Sequence, residues 1–275
     1  MAKKKVGLLG CGTIGSQLAL AVDSDKIANA SLVGLFDVSE SNIQNLKAKL
    51  SSSPKSYSDF SSFLATGADI VIEAASQDAV RAFGRTVLEA GKDLMVMSAG
   101  ALADSDFLAE LLKAAVKKGR RIYVPTGAIA GIDAIRSVRH LLNSVMLTTT
   151  KSPKALAGAP FFETSGIRLD EITKVTMIYE GTAADAVNAF PANVNVAAVL
   201  SLAGIGVDKT KVRIVADPQA TTNQHEIAAA GSFGEIKITV NNVPSPLNPK
   251  TSFLAVLSAI ECLRSICDEG MRIGS

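Results

Sequence analysis

Apolar and polar positions in the first half of the chain are grouped in blocks. Short apolar runs at residues 6–9, 31–36, 68–73, 93–97 and 121–124 read as buried strands. Between them, residues 14–22, 77–90 and 104–118 carry apolar positions at helical spacing, and a further helix opens near Ser39-Glu40. Strand and helix in strict alternation predict parallel strands joined by right-handed crossovers. After residue 124 the rhythm stops. A helix is expected over 131–142 and strands over 144–151, 171–181, 211–216, 224–229 and 235–240. The stretch 183–204 reads as helical with a break at Phe190-Pro191. The closely spaced strands of this half predict antiparallel pairing and a mixed sheet.

The tail holds Pro244, Pro246 and Pro249, which predict a rigid connector. Thr251 or Ser252 is placed to cap the helix that follows. That helix has apolar residues at Leu254, Leu257, Ile260, Leu263 and Ile266. A lone terminal helix has no core of its own, so it is expected to return to the first domain or to its seam with the second. At 275 residues with 48% hydrophobic content, the chain has material for two cores. The expected division is residues 1–125 plus 246–275 for the first domain and 126–245 for the second.

The first strand leads directly into Gly10-Cys11-Gly12-Thr13-Ile14-Gly15, a G-x-G-x-x-G segment opening a helix. Gly10 permits a sharp turn, Gly12 lets a pyrophosphate approach the backbone, and Gly15 lets helix and strand pack closely. The helix start at Thr13 and Ile14 offers unpaired N–H groups to phosphate oxygens. Asp37 ends the second strand about 20 residues later, where an acid accepts ribose hydroxyls and repels a 2′-phosphate. No Arg follows it directly, so NAD is favoured, with NADP as the alternative. The fold class is therefore α/β: a Rossmann-type parallel sheet plus a second α/β domain with a mixed or antiparallel sheet, and a C-terminal helix returning to the first domain. Ligands in such sheets bind at the carboxyl ends of the strands. Those ends carry Glu73–Ser76, 98–102 and 125–131, all rich in small residues. Ala75 and Ser98 are the expected cofactor contacts there.

Charge and composition remove other classes. The 28 basic and 26 acidic residues are interspersed for a net charge of +2, with no basic stripe for nucleic acid. No apolar run approaches the roughly 18 residues of a membrane span. The lysines before residue 6 resemble a signal peptide, but glycines break the apolar run at once. Cys11, Cys262 and Cys267 form no CxxC pair, so neither a disulfide framework nor a metal site is expected, and a reducing cytoplasmic setting is. Of two histidines, His140 lies in a helix and reads as a surface residue. His225 lies in a strand within NQHEI, where alternation sends Glu226 to the opposite face. An imidazole with an ordinary pKa near ~6.5 exchanges protons around neutrality.

The segments GCGTIG, EAAS, SAGALAD, PTGAIAGIDAI, FPANVNVAA, NQHEI with GSFGE, and NPKTSFLA run in one order over nearly the whole chain. In this combination the chain resembles the L-aspartate dehydrogenase family. The resemblance implies NAD(P)-dependent oxidation of L-aspartate to iminoaspartate. The imine then hydrolyses to oxaloacetate and ammonia or feeds nicotinamide cofactor synthesis. It also implies a homodimer, with the second domain serving catalysis and dimerisation. By position, His225 matches the family's catalytic histidine, Ala128 a residue whose backbone amide touches the cofactor, and Asn195 a cofactor-binding asparagine. Thr126 stands where many members have Ser, and Thr150 where Arg or Thr occurs. The two substrate carboxylates need cationic or N–H partners, for which Lys151, Lys250 and Thr251 are candidates. Two rivals share the layout: a homoserine or dihydrodipicolinate-type oxidoreductase, and a non-catalytic NAD-binding sensor.

Overall fold

In the computed structural model, residues 3–191, 195–245, 248–268 and 270 are described, with side chains left aside at 248–250. The chain divides into two compact units, residues 1–125 with 256–273, and residues 126–255 with 274–275. The segment 246–255, expected with the first unit, belongs to the second.

The first unit is a six-stranded parallel sheet of β1 (Lys4–Leu9), β2 (Ala30–Phe36), β3 (Lys55–Tyr57), β4 (Ile70–Glu73), β5 (Asp93–Val96) and β6 (Ile122–Tyr123). Its order is β3-β2-β1-β4-β5-β6. The chain leaves β1 in one direction for β2 and β3, then returns to build β4 to β6 on the other side. The carboxyl ends of β1 and β4 therefore open a crevice, the switch point of this topology. The edge strand β3 was not expected from the sequence. It has only three residues, none aliphatic, so no apolar run betrays it.

Val6, Leu8, Ile70 and Ile72 of the sheet are buried with Leu18 and Val22 of helix Thr13–Asp23. The terminal helix, Phe253–Cys267, brings Ala259, Leu263 and Cys267 into the same core. Leu263 of the predicted stripe is buried there, and Ile260 and Ile266 pack against the same core. Val256, Ala259, Leu263 and Cys267 point inward, while Leu257 is 44% exposed.

The second unit is a five-stranded mixed sheet: β7 (Leu142–Lys151), β8 (Thr176–Thr182), β9 (Lys211–Ala216), β10 (Asn223–Gly231) and β11 (Gly234–Asn242). Its order is β11-β10-β7-β9-β8. All neighbours are antiparallel except β7 and β9, which are parallel, contrary to the antiparallel expectation for β9. β8 begins later than predicted, because Leu169–Glu171 form a 3-10 turn. The helix expected over 131–142 is Ile132–Val138, continued by a 3-10 turn at Arg139–Leu141 that holds an exposed His140. The proline-rich tail is more than a connector: Pro244–Ser245 pairs antiparallel with Asn248–Ser252.

Candidate active site

Each glycine of the phosphate loop has its own environment. Gly10 takes φ +99°, and a Cβ there would lie 2.7 Å from the Ala74 carbonyl and the Ala75 nitrogen. A Cβ on Gly15 would overlap the Gly10 carbonyl oxygen. A Cβ on Gly12 would meet nothing within 4 Å. Gly10 and Gly15 are thus required by the fold, while Gly12 faces space the protein does not fill. Helix Thr13–Asp23 begins beside that space with no side-chain cap, so its first amides are available to an anion.

Next to the loop, a cavity of about 260 Å³ is walled by Leu9, Phe36, Val38, Ala79 and Phe83, with Asp37 and Asp78 as its acids. Its largely apolar walls, with Asp37 at the end of β2, suit the adenosine half of a dinucleotide. The Asp37 carboxylate accepts from Cys11 N at 2.6 Å, Ser39 N at 2.8 Å and, more weakly, Asn42 Nδ2 at 3.4 Å. A carboxylate has about four acceptor directions, so one remains and the long Asn42 contact is easily exchanged. Ser39, not Asp37, caps helix Glu40–Lys47. Burial, aided by the charge of Asp37, pushes the Cys11 thiol up to about 12, so it is no nucleophile at neutral pH.

Ala75 and Ser98 sit on two neighbouring loops tied together by Glu73, a residue the motif reading passed over. Its fully buried carboxyl accepts from Ala75 N at 2.8 Å, Ser98 N at 3.0 Å and Ser98 Oγ at 2.9 Å. Burial raises its pKa, and these donors work against that rise. The amides of Ala75 and Ser98 are therefore spent on Glu73, and any cofactor contact there uses other atoms of these residues. The signal was an acid ending an otherwise apolar strand, IVIE.

In the second unit one sheet face changes character along its length. Val145, Leu147, Val212, Ile227 and Ala229 are buried and apolar toward one end. Toward the other end Thr149, Lys151, Asn223, His225 and Asn242 are buried and polar, with Ile214 and Ala216 of β9 beside them. Strand register creates this cluster: His225 pairs with Thr149 of β7 and Val240 of β11, and Asn223 pairs with Asn242. His225 is 2% exposed, and its Nδ1 lies 3.0 Å from Thr149 Oγ1. Burial first, then the charge of Lys151, lowers the imidazole from 6.5 to about 3. The ring is thus neutral at physiological pH, which corrects the expectation of ordinary titration near neutrality. Lys151 is buried as well, and desolvation lowers its ammonium to about 8. Glu226 is exposed on the opposite face, and the group that orients His225 is Thr149.

Ala128 is buried, and its carbonyl accepts from Asn242 Nδ2 at 2.9 Å. Asn195 opens helix Asn195–Ala203 and is half-buried. Thr251 is half-buried in strand Asn248–Ser252, whose Ser252 hydroxyl accepts from Asn223 Nδ2 at 3.4 Å. The Lys250 side chain lies outside the described residues. Among the described residues no His, Cys, Asp and Glu cluster has the makings of a metal site, and no helix is long and apolar enough to cross a membrane.

Known proteins resemble this chain in sequence and in fold. The family profile described as "Aspartate dehydrogenase, C-terminal" matches residues 133–266, and that described as "Homoserine dehydrogenase, NAD binding domain" matches residues 10–125. The L-aspartate dehydrogenase of Nitrosopumilus maritimus (strain SCM1) is 48% identical over 272 residues, spanning 99% of this chain and 100% of its own. That of Methanosarcina barkeri (strain Fusaro / DSM 804) is 50% identical over 266 residues, spanning 95% of this chain and 96% of its own. Among solved structures, the crystal structure of aspartate dehydrogenase from Thermotoga maritima shares the fold with a TM-score of 0.76 at 24% identity, over 98% of this chain and 99% of that one. The scyllo-inositol dehydrogenase of Lactobacillus casei with bound NAD(H) and scyllo-inositol shares it more loosely, with a TM-score of 0.58 at 15% identity, over 96% of this chain and 87% of that one.

Proposed function

The chain belongs to the L-aspartate dehydrogenase family, and from that premise we propose that it oxidises L-aspartate at Cα with a pyridine nucleotide, NAD in preference to NADP. The observation that carries the reading is the buried neutral imidazole of His225, held by Thr149 beside the Lys151 ammonium. The bound nicotinamide supplies the hydride acceptor, and the residues of this chain supply position and proton transfer.

The substrate ammonium has to lose a proton before its nitrogen lone pair can drive hydride departure. A neutral imidazole can take that proton, and Nε2 is the ring nitrogen opposite the Thr149 contact. When Nδ1–H donates to Thr149 Oγ1, Nε2 is the basic atom. The substrate itself adjusts this base. Lys151 helps hold the ring's pKa down, and a substrate carboxylate beside Lys151 offsets its charge, which moves the imidazole upward toward the range of a working base. The product is iminoaspartate. Water adds to its C=N carbon, His225 handles the protons, and loss of ammonia gives oxaloacetate. In sum, L-aspartate, NAD+ and water give oxaloacetate, ammonium and NADH with one proton released. Release of the imine to cofactor synthesis is the other outlet.

Asp37 favours NAD because its charge repels a 2′-phosphate, and Val38, Ser39 and Glu40 add no cation. Gly10, Gly12, Thr13, Ile14 and Gly15 hold the pyrophosphate in this reading, with Ala75, Ser98, Ala128 and Asn195 along the rest of the cofactor. Lys151 binds a substrate carboxylate, with Lys250 and Thr251 as further candidates. The second unit is the catalytic and dimerising one, in a homodimer. The test is initial rates with L-aspartate and L-homoserine, each with NAD and NADP. Turnover of L-aspartate, faster with NAD, is expected. Turnover of L-homoserine alone, or cofactor binding with no turnover, would overturn the substrate assignment.

A further inference from the structure

One buried acceptor in the second unit has no partner among the described residues. Asn242 is 2% exposed, and its Oδ1 receives no hydrogen bond. The orientation of the amide is not in question, because its other atom faces the Ala128 carbonyl oxygen at 2.9 Å. A carbonyl oxygen only accepts, so Nδ2 must be the atom that meets it, and Oδ1 is the atom left over. The other buried orphan, Ser201 Oγ, is a rotatable hydroxyl inside helix Asn195–Ala203 with a backbone carbonyl one turn back. Asn242 has no such local outlet. An acceptor removed from water with no donor is costly, and such atoms call for a partner that the protein itself does not supply.

The position of Asn242 says what kind of partner. It pairs with Asn223 across β10 and β11, so it lies on the same buried face as His225, one diagonal step away. The side chain opposite it in register turns elsewhere: Asn223 Nδ2 donates to Ser252 Oγ. We infer that Asn242 belongs to the reaction site and that its Oδ1 accepts an N–H from a small-molecule ligand bound there. Two ligands of the proposed reaction carry such a donor, the carboxamide of the nicotinamide and the α-ammonium of L-aspartate. The inference rests on the aspartate dehydrogenase reading for these two candidates. Its second function, through Nδ2, is to fix the backbone at Ala128.

The experiment compares wild type with Asn242→Ala using ligands that have or lack the N–H. Binding is followed by NADH fluorescence. The cofactor arm uses NADH and its reduced 3-acetylpyridine analogue, in which a methyl replaces the carboxamide NH2. The substrate arm uses L-aspartate and succinate, which lacks the ammonium, each titrated into the enzyme–NADH complex. The substitution is expected to weaken one N–H ligand about tenfold, ~1.4 kcal/mol, and to leave its N–H-free counterpart within about twofold. Loss confined to NADH assigns the carboxamide, and loss confined to L-aspartate assigns the ammonium. Equal loss for all four ligands, as a merely structural role would give, or loss for none, overturns the inference. Asn242→Ser serves the same comparison should the alanine variant not fold. Failure of the wild type to oxidise L-aspartate would refute the reaction instead, and the cofactor arm would still test Asn242.

Discussion

The phosphate loop of the first unit and the polar sheet end of the second are built from different materials. The loop works by omission: Gly10 and Gly15 lack side chains because neighbouring backbone occupies that space, and Gly12 lacks one where the protein leaves room. Its parts are contiguous in sequence, and the groups it leaves available are backbone amides. The polar end works by insertion of side chains into an otherwise apolar face. Its parts come from β7, β10 and β11, with Thr149 and His225 76 residues apart, and Asn242 and Ala128 114 apart. One site is specified by local chain geometry, the other by strand register. The first tolerates change only where it faces the ligand.

The sharpest break in this comparison is Gly15→Ala. Its methyl collides with the Gly10 carbonyl, a backbone atom that cannot give way cheaply. The cost is about 3 kcal/mol or more, read as a large fall in Tm together with lost NADH binding. Gly12→Ala should behave in the opposite way. The fold has room for the methyl, so Tm stays within a few degrees, while NAD affinity falls by at least about tenfold because a pyrophosphate needs that approach. If Gly12→Ala also lowers Tm sharply, the division between structural and ligand-facing glycines is wrong.

In the polar end, Thr149→Val keeps the shape and removes the hydroxyl at Nδ1. A net hydrogen bond of about 1 kcal/mol translates to roughly a fivefold loss in kcat, with NADH affinity unchanged. Steady-state rates beside a fluorescence titration separate the two. A separate effect concerns pH. The folded imidazole binds its proton only near pH 3, whereas its ordinary value is 6.5. Between these values the unfolded chain takes up a proton that the folded chain does not, so His225 makes stability fall as pH drops from about 6.5 toward 3. In His225→Asn that part of the slope disappears, and denaturant unfolding at several pH values measures it.

The same contrast explains what was legible beforehand. GCGTIG and Asp37 announced themselves because strand, turn and helix follow one another within a few dozen residues. β3 did not, since Lys55–Tyr57 owes its place to the strand beside it rather than to its own residues. His225 stood out by rarity, and its role came through the family resemblance. Thr149 and Asn242 gave no local sign, because a polar residue at a buried strand position is informative only once the register is known. Glu73 was half visible, as an acid at the end of a buried strand. The terminal helix was placed correctly and most of its inner face with it: Leu263, Ile260 and Ile266 meet the core, while Leu257 is exposed and the small Ala259 is buried instead.

The most direct test of the central claim, that His225 is the proton-transfer group of an L-aspartate dehydrogenase, is the rate of NADH formation from L-aspartate by His225→Asn beside wild type, with NADH affinity measured on the same preparations. The account predicts a loss in kcat of about a hundredfold or more with NADH bound as tightly as before. Wild-type turnover within a few fold of the variant's would contradict it and leave His225 a buried structural histidine.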